Sequence, residues 1–580
     1  MTLLDSSTLG PARLGFADEK DLDAFVENLE RFERGELAPD GWKAFRLVNG
    51  VYSQRQEGDA MMMRVKIPQG VLTPPQVRAL AEVAERFSTG RGHLTTRQNM
   101  QFHFVHLADT ERALRVLADA GLTTREACGN SVRNVTTCPF AGASALEPFD
   151  STPWAEAVTR HLLRGPFSAT LPRKFKIAFG GCCGYDCVGA SFGDIGFLAR
   201  LREGRPGFRV TLGGGLSTLR RRGILAHEFA PADEVLEIAE AVVRVFHRTG
   251  DRKNKHKARL KFVVAALGPE RFLAEYLRER ETIRAEGGRA LRAEVESAPR
   301  VPRSPRFRPD RPGLAEFART NVRPQREPGH VAVTVRVALG DLSAAQLRAL
   351  AEMAEEFSEE RELRTTVEQN VVLRFIGRAH LDSLHAALDA VGLAQPGAGT
   401  VSDVTSCPGA FSCRLAVTAS RGMAAEVTRA LEARPAVVGL AESLSIKISG
   451  CPNGCGQHYV AGIGLQGSVR KVGGRAVPQY HLYLGGGLGA EEATFGWLAA
   501  KLPARRVPQA VERLIELYHR ERRPGEAPEA FLARVEPASV RSLLADLEKL
   551  DAADAVPDDF VDLGEEKQFE VKLSEGECAT

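Results

Sequence analysis

Between Gly70 and Thr96 the chain announces a copy of itself: fifteen of these twenty-seven positions carry the same residue 270 positions later. The shared residues include Gln76 and Gln346, the runs Arg78-Ala-Leu-Ala-Glu82 and Arg348-Ala-Leu-Ala-Glu352, Phe87-Ser88 and Phe357-Ser358, and Thr95-Thr96 and Thr365-Thr366. One long offset means that one supersecondary unit occurs twice. In each copy an alternating apolar strand (62–67; 331–337) leads into an amphipathic helix and returns through a second strand (100–106; 371–376).

The correspondence extends into a second module. Thr136-Thr-Cys-Pro139 mirrors Thr405-Ser-Cys-Pro408, Phe175-Lys-Ile177 mirrors Ile446-Lys-Ile448, and Leu212-Gly-Gly-Gly-Leu216 mirrors Leu484-Gly-Gly-Gly-Leu488. Two pseudo-symmetric halves imply a site between them. A linker is expected at 285–325, with Arg, Pro and charge concentrated in 285–313. The stretch from Asp551 is acidic and is expected to be loosely ordered or to wrap back as an arm.

The chemistry is carried by cysteine. Of the ten cysteines, four form two tight pairs, Cys407-x5-Cys413 and Cys451-x3-Cys455, the second inside Ser449-Gly-Cys-Pro-Asn-Gly-Cys-Gly456. Four soft thiolates suit an iron–sulfur cube, and the Pro and Gly residues let the backbone wrap closely round it. Zinc is disfavoured, because its structural sites bring cysteines as C-x2-C to C-x4-C knuckles on both sides. The first half holds a partial echo, Cys138 and Cys183-x3-Cys187, with Ser144 in the fourth place. It is read as a relic whose thiols pack as small apolar groups rather than as a second cluster. Cys182-Cys183 make a poor structural pair and Cys578 is expected to be a free thiol, so reduced thiols and metal ligation explain the cysteines better than disulfides.

These cysteine motifs resemble the sirohaem-containing sulfite and nitrite reductases, whose C-terminal half carries C-x5-C, a long gap and C-x3-C; here the gap runs from Arg414 to Gly450. The resemblance covers about residues 45–545 and implies an α+β fold, internally duplicated and pseudo-two-fold. Its domains would be an N-terminal extension (1–55), ferredoxin-like half-domains at 56–127 and 326–397, and two larger sirohaem- and cluster-binding domains at 128–284 and 398–550. The linker (285–325) and the acidic tail (551–580) complete it. The resemblance also implies sirohaem beside a [4Fe–4S] cluster held by Cys407, Cys413, Cys451 and Cys455, with the Cys455 sulfur bridging cluster and haem iron.

Site residues follow position by position. Arg64, in Met61-Met-Met-Arg-Val-Lys-Ile-Pro68, and Arg133, in Asn130-Ser-Val-Arg-Asn134, match the two arginine motifs that hold a small oxyanion. Lys174 and Lys176, in Leu171-Pro-Arg-Lys-Phe-Lys176, match the lysines, and strand alternation points both to one face. Fixed cations suit an anion whose oxygens must be protonated as they depart. In the loop His93-Leu-Thr-Thr-Arg-Gln-Asn-Met-Gln101 the resemblance casts Thr95, Arg97 and Gln101 as partners of the macrocycle's carboxylates; His93 stands where a relative has arginine. Arg259 and Lys261, within Arg252–Lys261, are further candidates, although a charge run is more often a solvated face. Cys128 lies five residues before Arg133, as in relatives with a tyrosine–cysteine thioether, and Tyr52 is its expected partner.

The second lysine bears on substrate, since sulfite reductases of this family tend to read Lys-x-Lys where plant-type nitrite reductases tend to have asparagine. Lys176 therefore favours sulfite, with nitrite as the alternative. No G-x-G-x-x-G opens a strand–turn–helix unit, so electrons are expected from ferredoxin, or from a separate flavoprotein. At 580 residues, 43% hydrophobic and 26% charged, the chain suits a globular protein of several cores. A net charge of +3 spread over the chain gives no case for nucleic acid. The absence of a membrane-length apolar run and of a signal-like N-terminus gives an expectation of a cytoplasmic enzyme. An assimilatory sulfite reductase is the expected function, and a non-catalytic iron–sulfur redox sensor the alternative of another class. Sirohaem gives strong visible bands that a bare cluster lacks, and a zinc protein would be colourless.

Overall fold

The computed structural model describes residues 15–572 and Glu577, apart from 57, 182–183, 290, 292–299, 304 and 306–312. Cys183 and Cys578 lie outside the described residues.

Each repeat builds a sheet backed by helices. In the first, Pro74–Phe87 is set by a capping box, with Gln76 reaching back to the backbone of Thr73 and proline in the first turn. Its apolar stripe, Val77, Leu80, Ala81, Ala84 and Phe87, is buried. Helix Ala344–Phe357 repeats the device with Ser343 and Gln346. The two helices bury their stripes in one core shared by both halves. On its surface Arg78 pairs with Glu355 at 2.8 Å and Arg348 with Glu85 at 3.2 Å, a reciprocal set whose exposure limits each pair to about 0–1 kcal/mol.

The halves also exchange strands. The first sheet runs in the order Val51–Ser53, Ala60–Val65, Met100–His106, Arg91–Leu94, and closes with Asp341–Ser343 from the second repeat. The second runs Val322–Pro324, His330–Val335, Val371–Gly377, Leu363–Thr365, and closes with Val71–Leu72 from the first. Both exchanged strands pair antiparallel.

Two further five-stranded sheets complete the α+β fold. One comprises Thr136–Thr137, Ile177–Gly180, Ile195–Arg202, Arg205–Leu212 and Ile224–Pro231. The other comprises Thr405–Ser406, Ile446–Ser449, Ile463–Val472, Arg475–Leu484 and Trp497–Pro503. In each, the first two pairings are parallel and the rest antiparallel. Cysteine loops and lysine segments therefore emerge at equivalent sheet ends.

Segments read as connections prove partly folded. The end of the expected linker forms helix Leu314–Asn321 and the edge strand Val322–Pro324. Before residue 55, helices Glu19–Glu33 and Pro39–Val48 pack Phe25, Leu29 and Trp42 into the shared core. The acidic tail wraps back: Phe560 packs with Val472, Val477 and Leu550, and Asp562 accepts a 2.7 Å hydrogen bond from the Ala419 amide.

Candidate active site

A cavity opens between the first repeat's sheet and the cysteine loops of the second half. Cys407 follows strand Thr405–Ser406, and Cys451 follows Ile446–Ser449; with Cys413 and Cys455 they line one wall. Two glycines beside Cys455 are sterically required. Gly454 sits at φ +69, and a Cβ on Gly456 would stand 1.9 Å from the Ile448 carbonyl oxygen. The Gly450 amide donates to Cys407 Sγ at 3.4 Å, and Thr96 Oγ1 donates to the Cys455 carbonyl at 2.7 Å, tying the first half to the last cysteine.

The facing wall is cationic. Arg64, Arg97, Arg133, Lys174 and Lys176 all reach the cavity. Arg64 Nη1 stands 3.5 Å from the Tyr52 hydroxyl, with its guanidinium carbon 5.5 Å from the Tyr52 ring centre. Arg133 donates to the carbonyls of Gly129 at 2.7 Å and Ala127 at 3.2 Å, so it also braces the loop that carries Cys128. Burial, helped by Arg97, Arg259 and Lys174, pushes the Lys176 ammonium well below the usual lysine range, and Cys455 opposes the shift. So much positive charge in one enclosure calls for a polyanion.

Both parts of the cavity match a known architecture. Residues 128–284 and 397–549 match the profile described as nitrite and sulphite reductase 4Fe-4S domain, and 52–120 and 323–391 match that of the nitrite/sulfite reductase ferredoxin-like half domain. An assimilatory ferredoxin-dependent nitrite reductase of Haloferax mediterranei is 32% identical over 88% of both chains. A sulfite reductase [ferredoxin] of Mycobacterium tuberculosis is 30% identical over 85% of this chain and 88% of its own. The solved structure of Mycobacterium tuberculosis NirA superposes with a TM-score of 0.75 at 28% identity, covering 90% of this chain and 95% of that one. This chain belongs to the nitrite and sulfite reductase family. It is an oxidoreductase, and the cofactors of the family are sirohaem and a [4Fe–4S] cluster.

The residues fit those groups. Burial and the neighbouring Cys455, Cys407 and Cys413 push the Cys451 thiol well above its usual range, and burial with Cys455 raises that of Cys407. Buried thiols of this kind ionise together only around a cation, which an iron core supplies. On the haem side, the buried Arg97 Nε and Ser406 Oγ have no hydrogen-bond partner among the described residues.

Arg97 donates its Nη groups to Thr136 Oγ1 at 3.4 Å and to the carbonyls of Asn134 and of Ile177, the last at 3.2 Å, and the other proposed carboxylate partners are likewise engaged. Thr95 Oγ1 bonds within its own turn, accepting from the Arg97 amide at 3.1 Å, and Gln101 Nε2 contacts Met62 Sδ at 3.3 Å. Arg259 pairs with Asp194 at 2.7 Å, behind Lys176, whose amide donates to the same carboxylate oxygen at 2.8 Å. Lys261 Nζ donates to the carbonyls of Leu216 at 2.7 Å and Leu219 at 2.6 Å. Neither Arg259 nor Lys261 lines the cavity. Cys128 lies behind it, buried in an apolar cluster with Tyr52, Leu47, Met62 and Ala127.

Sequence reading passed over several lining residues. His103 is two positions along the strand from Gln101, so alternation pointed to it; Arg173 adjoins Lys174. His93 is tied across the halves, its Nδ1 2.9 Å from Asp341, which also holds Arg421. Glu577 had no signal at all. The duplication leaves a second cavity, lined by Thr334, Ser445 and Lys447, where the first has Arg64, Lys174 and Lys176, together with Glu368, Asp403 and Glu529. Its Cys187 is buried, and Cys138, expected to pack as a thiol, is disulfide-bonded. Acidic residues thus stand beside Lys447 and Arg323 in this second cavity.

Proposed function

We propose that this protein is an assimilatory, ferredoxin-dependent sulfite reductase of the cytoplasm, converting sulfite to sulfide with six electrons and six protons, the oxygens leaving as water. The observation that carries this reading is the pairing of Lys174 and Lys176 on the wall that already holds Arg64 and Arg133. When bound, the coupled sirohaem and cluster supply the electrons and the iron that takes the anion. Arg64 and Arg133 would orient the anion by charge, and the Nζ atoms of Lys174 and Lys176 would deliver protons to its departing oxygens. Arg97, with Thr95 and Gln101, would hold the macrocycle's carboxylates, and Arg259 would act behind them by fixing Asp194 beneath Lys176. Lys261, committed to carbonyls, would brace the Leu216–Leu219 turn.

Nitrite reduction to ammonia uses the same apparatus and is favoured by the relatives of that name in Haloferax mediterranei and in Synechococcus elongatus, the latter 30% identical over 83% of this chain. Steady-state turnover of both anions with reduced ferredoxin decides between them by the ratio of kcat/KM values; turnover with a flavoprotein but not ferredoxin would revise the donor. Lys176→Asn is expected to lower the sulfite-to-nitrite ratio by roughly tenfold, the effect of about 1.4 kcal/mol of lost anion stabilisation. An unchanged ratio would remove the lysine from specificity.

Tyr52 and Cys128, buried in one cluster, are proposed to join as a thioether, the Cys128 S–H and a Tyr52 ring C–H giving up two protons and two electrons to an external oxidant such as dioxygen. Peptide mapping should then recover the two peptides as one species two hydrogens lighter than their sum. Separate, unmodified peptides would dispose of the link.

A further inference from the structure

Strand Val51–Ser53 is the edge of its sheet, with only Ala60–Val65 beside it. Arg64 N donates to the Gly50 carbonyl at 2.9 Å, so Gly50 and Tyr52 turn their backbone groups toward that neighbour. By the alternation of an antiparallel ladder, the groups of Val51 and Ser53 point the other way, where a further strand would normally meet them.

Two side chains take that strand's place. Arg46 Nη1 donates to the Val51 carbonyl at 3.1 Å, and the Ser53 amide donates to Glu577 Oε2 at 2.7 Å. Arg46 and Glu577 grip each other through both guanidinium nitrogens, with Nη1 at 2.8 Å from Oε2. Their side chains are 8% and 6% exposed. One ion pair, formed across 531 residues of sequence, therefore supplies both the donor and the acceptor that the edge lacks, on either side of Tyr52.

We infer that Glu577 is a positioning residue of the active site: with Arg46 it completes the edge strand, fixes Tyr52, and through the Tyr52 hydroxyl and ring sets the guanidinium of Arg64 for the anion. This rests on the function proposed above. Tyr52 is buried and touches Arg64 by both its oxygen and its face, so a shift of the strand is passed on to the cation. Glu577 itself lines the cavity. An unmatched carboxylate there would repel an anion, and the bidentate partner neutralises it.

The test compares wild type with Glu577→Gln and with the double variant Arg46→Met/Glu577→Leu. The double variant leaves no lone buried charge, so it reports even if the single one folds poorly. The readouts are iron and sirohaem content, thermal midpoint, kcat and KM, and the dissociation constant of sulfite and of nitrite from the oxidised enzyme, titrated by the shift of its visible bands. Expected is a rise in KM and in anion dissociation constant of roughly tenfold or more, the scale that displaced positioning groups produce, with cofactor content unchanged. A double variant with a lower midpoint but wild-type anion affinity and KM overturns the inference. Wild type that turns over neither anion counts against the proposed function instead, and the optical titration still decides the place of Glu577.

Discussion

Cys455→Ser is expected to abolish turnover and to strip the protein of its colour. Serine offers a hard, protonated oxygen where the iron–sulfur core requires a soft thiolate. Cys451 is buried and Cys407 and Cys413 are half-buried, whereas Cys455 is the exposed member of the four, on the side facing Lys176 and the cationic wall. Its loss should exceed the roughly 10–100-fold that removal of a mere supporting group costs at a metal site. Iron and acid-labile sulfide, measured against protein, should fall together with the visible absorption. Cys187→Ser, at the matching position of the first half, should change none of these. Full iron content and an unaltered spectrum in the Cys455 variant would show that the cluster is held elsewhere.

The second large effect is expected at Arg64. Arg64→Met keeps a long apolar stem on strand Ala60–Val65 while deleting the charge. Loss of one fixed donor to an oxyanion costs about 10²–10³ in rate, and kcat/KM should drop by that much for both anions, with cofactors retained. Arg133 makes a less clean probe, because its donors go to the carbonyls of Ala127 and Gly129 and its removal would loosen the loop itself. If Arg64→Met leaves kcat/KM within about twofold of wild type, a change under 0.5 kcal/mol, the anion is bound by other groups.

What could be read from the sequence was whatever the chain writes locally. The duplicated helices carry their caps and apolar stripes within fourteen residues each, and the cysteines and cations of the cavity sit in short motifs. Arg64, Arg133, Lys174, Lys176 and all four cysteines do converge on one cavity. The exchanged strands were invisible because two or three residues carry no periodicity, and their partners lie in the other half. Lys261 was singled out within a charge run by the family resemblance, and nothing local says that its ammonium ends on two backbone carbonyls. Glu577 lies in an acidic stretch whose composition suggests solvent, and only a partner 531 residues away makes it part of a wall. Pairings made at long range and paid for by burial leave no mark on either segment alone.

The strand exchange has a consequence for how such a molecule is born. As the chain leaves the ribosome, the first sheet stays one strand short until Asp341–Ser343 emerges, and Val71–Leu72 waits for a sheet not yet made. The N-terminal half is thus an unfinished folding unit for much of synthesis, with an open edge that chaperones would be expected to shield. A chain nicked between the halves would stay whole, like two links of a chain. A single copy using the same pairing would have to borrow its closing strand from a second copy, as in a swapped homodimer.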